Sequence, residues 1–124
     1  MEKLAKRALL VDFYGPLLTE KQRNVWDLHY QQDLSLTEIA EVEHISRQAI
    51  HDLLKRTERI LNEYEDKLGL VQRFWIEREK LMEVQSLLQG LSEQDFSSQT
   101  AFKRHQKIRA MIEDIFTNIA AVEN

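Results

Sequence analysis

Residues 35–61 read SLTEIAEVEHISRQAIHDLLKRTERIL, and the polar punctuation of this stretch decides the fold. Each of two helices opens on a serine, whose short hydroxyl side chain satisfies a backbone N–H that a first helical turn leaves free. Ser35 is followed three residues later by Glu38, the spacing of a capping box. Ile39 and Ala40 then point to one side, with Glu38 and Glu41 flanking them. Glu43-His44-Ile45 is the expected reversal, and Ser46 opens the second helix. There Ile50, Leu53, Leu54 and Leu61 form one apolar stripe, with Thr57 a candidate member. Ala40 is small enough to let the two helices cross closely, and Ile45 and Ile50 fill the gap between them. This is the pattern of a helix-turn-helix.

Upstream, Lys3 to about Tyr14 predicts a short helix with Leu4, Ala8, Val11 and Tyr14 near one face, ended by Gly15-Pro16. Thr19 and Gln22 make a second capping box before a helix over 20–31, whose apolar positions are Val25, Trp26, Leu28 and Tyr30. Downstream, the second motif helix runs on to about Lys67, with Gly69 as its break. A long helix follows from Leu70 to Leu88, apolar on more than one side, which predicts burial between several neighbours. Gly90 ends it, residues 92–100 read as a loop pinned by Phe96, and a last helix covers 101–122. In that helix Ile108, Met111 or Ile112, Ile115, Ile119 and Val122 space as a heptad seam. The fold class expected is all-α: a helix-turn-helix bundle followed by a long helical hairpin. The division falls near residue 68, with 1–68 the helix-turn-helix half and 69–124 a helical half for packing or dimerisation.

Composition agrees with helices and limits the chemistry. The 124 residues include three glycines and one proline, too few for the tight turns of an all-β protein, and no cysteine for disulfides or thiolate metal sites. No run approaches the ~18 apolar residues of a membrane span, and the start of the chain is too short in apolar residues for a secretory signal. The expected setting is cytoplasmic. The net charge of −4 is concentrated in the first half: residues 1–66 hold 9 Lys and Arg against 13 Asp and Glu, whereas residues 67–124 hold 8 of each. Only 44–60 is locally basic. Since phosphate neutralisation dominates affinity for nucleic acid, a single copy with this balance is expected to bind DNA weakly.

The stretch 17–61 resembles region four of bacterial sigma factors, where a helix precedes a helix-turn-helix of the form S-x-x-E-I-A…S-R-x-x-V. The segments TEKQR, SLTEIA, SRQAI, KRTE and LNEYEDKLGL are still more similar to the YlxM family of small, mostly Gram-positive proteins. The resemblance runs nearly the full length and is most specific from Thr19 to Leu70. It implies a dimeric, all-helical cytoplasmic protein with a sigma-region-four-like or winged-helix-like first half. It also implies a link to the signal recognition particle pathway, inferred from neighbouring genes. Two positions depart from the usual motif: His44 stands where glycine or asparagine is common, and Glu43 where an apolar residue is. A non-glycine side chain in a left-handed turn costs about 1 kcal/mol.

If the motif binds DNA, the second helix enters the major groove by its first turns. The expected contacts are Ser46, Arg47, Gln48, His51, Lys55, Arg56 and Arg59, with Arg47 suited to a guanine edge, Gln48 to an adenine edge, and Lys55, Arg56 and Arg59 to phosphates. The plain alternative is a solvated helix face. The expected packing or dimer contacts are Phe74, Trp75, Leu81, Leu88, Ile108, Ile112, Ile115 and Ile119. No enzyme motif is present: His29, His44, His51 and His105 are scattered, without an H-E-x-x-H pair, a nucleophile elbow or a phosphate-cradling glycine loop. Neither a metal nor a cofactor is expected. Two function classes remain: a DNA-binding regulator of the targeting pathway, or an adaptor that binds the signal recognition particle GTPases or their RNA.

Overall fold

The computed structural model describes residues 2–123, with side chains as far as Asn118. Its helices are α1 (Lys3–Tyr14), α2 (Glu20–Tyr30), α3 (Leu36–Glu43), α4 (Arg47–Leu68), α5 (Leu70–Gln89) and α6 (Gln99–Glu123), with 3-10 turns at Gly15–Leu17 and Glu93–Asp95. No strand occurs among the described residues, so the motif has no wing and the winged-helix alternative is set aside. No helix among them is long and apolar enough to cross a membrane. The chain forms two compact units, Met1–Val71 and Gln72–Asn124.

In the first unit α4 packs against α1, α2 and α3. It does so with one stripe, in which Ile50, Leu54, Thr57 and Leu61 are buried at helical spacing. Leu9, Leu10 and Tyr14 of α1, Val25 and Trp26 of α2, and Ile39 and Ala40 of α3 complete the core. Thr57 belongs there because its hydroxyl donates to the Leu53 carbonyl (2.8 Å), leaving its polar group satisfied inside. Both expected capping boxes form, at Thr19–Gln22 and Ser35–Glu38. Gly15, by contrast, keeps a right-handed φ of −52°, and the chain leaves α1 through the 3-10 turn rather than a left-handed glycine. The link from α2 to α3 relies on Asp33 at φ 57°, and His29 donates from Nδ1 to the Leu34 carbonyl (2.9 Å).

α4 ends at Gly69, as the sequence predicts, and its last turn joins the core of the first unit. Gly69 adopts the left-handed conformation (φ 63°) and its N–H caps Glu65 O, as a glycine at a helix end does. Glu65, one turn before that cap, accepts from the Tyr14 hydroxyl (2.6 Å) and from the Val71 N–H (3.0 Å). The Leu70 N–H donates to the same Tyr14 oxygen (3.2 Å). The first amides of α5 are thereby satisfied by α1 and α4 together. Burial, reinforced by the Glu65 carboxylate, pushes the Tyr14 hydroxyl up to about 12.

The second unit contains most of α5 and all of α6. Its reversal is ordered by local bonds. Ser92 N–H donates to Asp95 (2.8 Å), Gln99 donates to Glu93 (2.7 Å), and Ser98 caps α6 at Ala101 N. The helix therefore starts before the expected Ala101. Phe96 does pin the turn, its ring lying 5.8 Å from Phe102 and 4.9 Å from His105. His105 is buried and donates from Nε2 to the Leu88 carbonyl (2.7 Å). The expectation that α5 is buried on several sides is overturned: within the second unit Ile76, Met82, Val84 and Leu87 are exposed. Phe74, Trp75, Leu81, Leu88 and Ile112 are half-buried, while Ile108 and Ile115 are exposed. Ile119 and Val122 lie outside the described side chains.

Candidate nucleic-acid interface

The turn between α3 and α4 is built from the cap residues outward. Glu38 receives the Ser35 N–H (3.0 Å) and returns its own N–H to the Ser35 hydroxyl (3.1 Å). The bond from the Ser35 backbone holds the Glu38 carboxyl below the usual carboxylate range. At the other end of α3, His44 takes the left-handed conformation (φ 58°, ψ 38°), so the residue that departs from the motif's usual glycine still makes the motif's turn. The Ala40 carbonyl accepts from the N–H groups of both His44 and Ile45, which closes the reversal. Ser46 then caps α4, its hydroxyl accepting from Ala49 N (3.1 Å). That role is structural first, leaving Ser46 its O–H proton and one lone pair to offer a ligand.

At 100° per residue, the direction opposite the buried Ile50–Leu61 stripe of α4 passes through Gln48, Asp52, Lys55 and Arg59. Arg47, Gln48, Lys55, Arg56 and Arg59 are all exposed, and His51 is half-buried. Six of the seven expected contact residues are thus on α4 and Ser46 is its cap, but they are not equally available. Gln48 donates to Asp52 (3.0 Å), and His51 lies 3.5 Å from the same carboxylate. Arg59 is paired with Glu63 at 3.9 Å. Arg47, Lys55 and Arg56 have no such partner among the described residues. Asp52 is the residue whose importance the sequence hides: it organises the side chains expected to read bases, and Gln48 must exchange this bond to meet an adenine.

Glu58, which offsets the basic strip in a linear count, faces elsewhere. Its carboxylate takes the Arg7 guanidinium from α1 at 3.2 Å, and Arg7 also lies 4.9 Å above the Tyr30 ring. Burial, with Glu58 nearby, raises the Tyr30 hydroxyl despite the opposing influence of Arg7. This contact locks α1 and α2 to α4 and removes one negative charge from the solvent side of the motif. No periodicity in the sequence pairs residues 51 positions apart, so nothing in the sequence signals it. Among the described residues no group of three or more His, Cys, Asp or Glu side chains is placed to hold a metal ion.

Residues 1–108 match the family described as "Putative helix-turn-helix protein, YlxM / p13 like" (UPF0122). A UPF0122 protein of Desulforamulus reducens is 53% identical over 90 residues, which cover 73% of this chain and 77% of that protein. Another, from Bacillus mycoides, is 53% identical over 95 residues, covering 77% of this chain and 84% of its own length.

Proposed function

The chain belongs to the UPF0122 helix-turn-helix family, and on that premise we propose that it binds duplex DNA through the first turns of α4. The observation that carries this reading is the combination of a left-handed His44 turn with Arg47, Lys55 and Arg56 exposed and unpaired on α4. Arg47 is the first residue of α4, where the free N–H groups of the helix end also favour a phosphate. Arg47 is the base-reading candidate, and Lys55 and Arg56 hold the backbone. A salt titration against duplex DNA tests it. Arg47→Ala costs about 1–3 kcal/mol on a preferred sequence and relaxes the preference. Lys55→Ala weakens binding to all sequences alike and lowers the salt slope by roughly 0.9. Equal, small losses from both remove base reading from α4, and no binding at ~50 mM salt removes the DNA reading, because electrostatic contacts are strongest there.

A homodimer completes the proposal. Exposed Ile108 and Ile115 on α6, with half-buried Ile112 between them, support a seam for a second copy. Two motifs on one particle convert weak binding into an intramolecular second contact, which helps an acidic chain hold DNA. The finer connection, to regulation of the signal recognition particle pathway, rests on the resemblance. A pull-down from cell extract with and without nuclease tests it: recovery of the targeting GTPases after nuclease treatment favours the adaptor role over DNA binding.

A further inference from the structure

The most basic surface segment of the chain lies outside the helix-turn-helix. Residues 44–60 hold four Lys and Arg against two carboxylates, whereas 96–112, equally long, hold Lys103, Arg104, Lys107 and Arg109 against none. The flanking acids lie at either end of the segment and make no ion pair with its cations among the described residues. Glu93 accepts from Gln99 and Asp95 from Ser92, and the next carboxylate after the segment is Glu113. Lys103, Arg104 and Lys107 are exposed and have no carboxylate partner among the described residues, unlike Arg59 and Arg73, which pair with Glu63 and Glu77 one turn further on.

Their placement on α6 is equally specific. Phe102 and His105 define the packed side of the helix. At 100° per residue, Lys103, Lys107 and Arg104 fall within one arc of about 100° on the opposite side, with Lys103 and Lys107 clear of the Ile108–Ile115 seam and Arg104 at its edge. Like charges one turn apart repel each other, so this ridge disfavours its own helix until an anion screens it. Three cations in a row, one helical turn long, match repeated phosphates better than a single carboxylate.

We infer that the Lys103–Arg104–Lys107 ridge of α6 is a second nucleic-acid contact, which binds backbone phosphates without reading bases. This rests on the reading that the protein binds nucleic acid, but it uses a different surface and so can stand or fall separately. DNA and RNA offer the same phosphodiester chemistry, and the measurement distinguishes them.

The test uses the full chain, fluorescence anisotropy, and mixed-sequence duplexes of DNA and of RNA over a salt series. The variant Lys103→Gln/Arg104→Gln/Lys107→Gln keeps good helix formers at solvent-facing positions, and its circular dichroism and melting should match the wild type. Its affinity is expected to fall at least tenfold near 50 mM salt, with the salt slope reduced by roughly 0.9 for each phosphate no longer neutralised. A fall on one kind of duplex alone assigns the ridge to that nucleic acid, and a fall on both assigns it to either. Unchanged affinity and slope on both duplexes overturn the inference. So does binding to phosphatidylglycerol vesicles with none to either duplex. The companion variant Lys55→Gln/Arg56→Gln separates the two surfaces. If it binds like wild type while the α6 variant does not bind, the α4 reading fails and the ridge stands; the reverse result removes the ridge alone.

Discussion

Met1–Val71 and Gln72–Asn124 draw on the same helix-forming residues, yet only the first closes over its apolar side chains. In the first unit Trp26, Tyr14, Leu10, Ile39, Ile50 and Leu61 are essentially inaccessible. In the second, among the described residues, the one buried side chain is His105, and Leu87 remains 68% exposed. The difference lies in how apolar residues are arranged around each helix. α4 gathers them on one stripe that three neighbours cover, whereas α5 spreads Phe74, Trp75, Ile76, Leu81, Met82, Val84, Leu87 and Leu88 around its circumference. A stripe can be buried by a small bundle; an all-round apolar helix needs partners on several sides. The first unit therefore carries its own stability, and the second has surface to share.

Several substitutions would break or sharpen this contrast, beginning with the largest effect. Trp26→Ala empties the centre of the first unit and should cost about 3–5 kcal/mol, read as a large fall in the denaturation midpoint. A cost below about 1 kcal/mol, the range of ordinary surface changes, would mean that the first unit is not the stable one. Tyr14→Phe leaves the Leu70 N–H without its acceptor and removes one of the bonds that Glu65 accepts, and should cost about 1–3 kcal/mol. The same tyrosine gives the first unit an alkaline limit. Because its folded value is raised from the ordinary 10 to about 12, its contribution is complete below pH 10 and is lost as pH rises from 10 to 12. Denaturation curves across that range should show the loss in wild type and none of this component in Tyr14→Phe.

His44→Gly acts in the opposite direction. It relieves a left-handed side chain but adds freedom to the unfolded chain, for a net gain of about 0.5 kcal/mol. A fall in stability on this change would show that the imidazole makes an interaction worth more than its strain. The smallest effect on folding is expected from Ile108→Asp/Ile115→Asp, since both side chains are exposed in a single copy. The melting of the first unit should hold, while light scattering at micromolar concentration reports the 14.7 kDa chain instead of a dimer. Wild type of that same mass would remove the seam altogether.

Much of the first unit is legible from neighbouring residues alone. Ser35, Glu38, Ser46, Thr19 and Gln22 act through partners three residues away, and such local bonds leave a direct trace in the sequence. The Ile50–Leu61 stripe is legible because its helical period survives any tertiary arrangement. Glu65 escapes such reading for the converse reason: its partner Tyr14 lies 51 residues earlier, and a helix end reading Glu63-Tyr64-Glu65-Asp66 looks solvated from its own neighbourhood. The candidate interface divides the same way. Which residues face outward from α4 follows from periodicity, but that Asp52 engages Gln48 and His51 while Glu58 turns to Arg7 depends on rotamers and on a distant helix.

The sequence by itself determined an all-helical chain with a capped helix-turn-helix at Ser35–Leu61, because caps, turns and apolar stripes are written in residues a few positions apart. Tertiary structure alone decided that His44 makes the left-handed turn without glycine, that Tyr14 and Glu65 fasten the start of α5, and that α5 keeps Ile76, Met82, Val84 and Leu87 exposed. These outcomes depend on which surfaces meet, and a surface is buried only when its neighbours, however far away in sequence, can cover it.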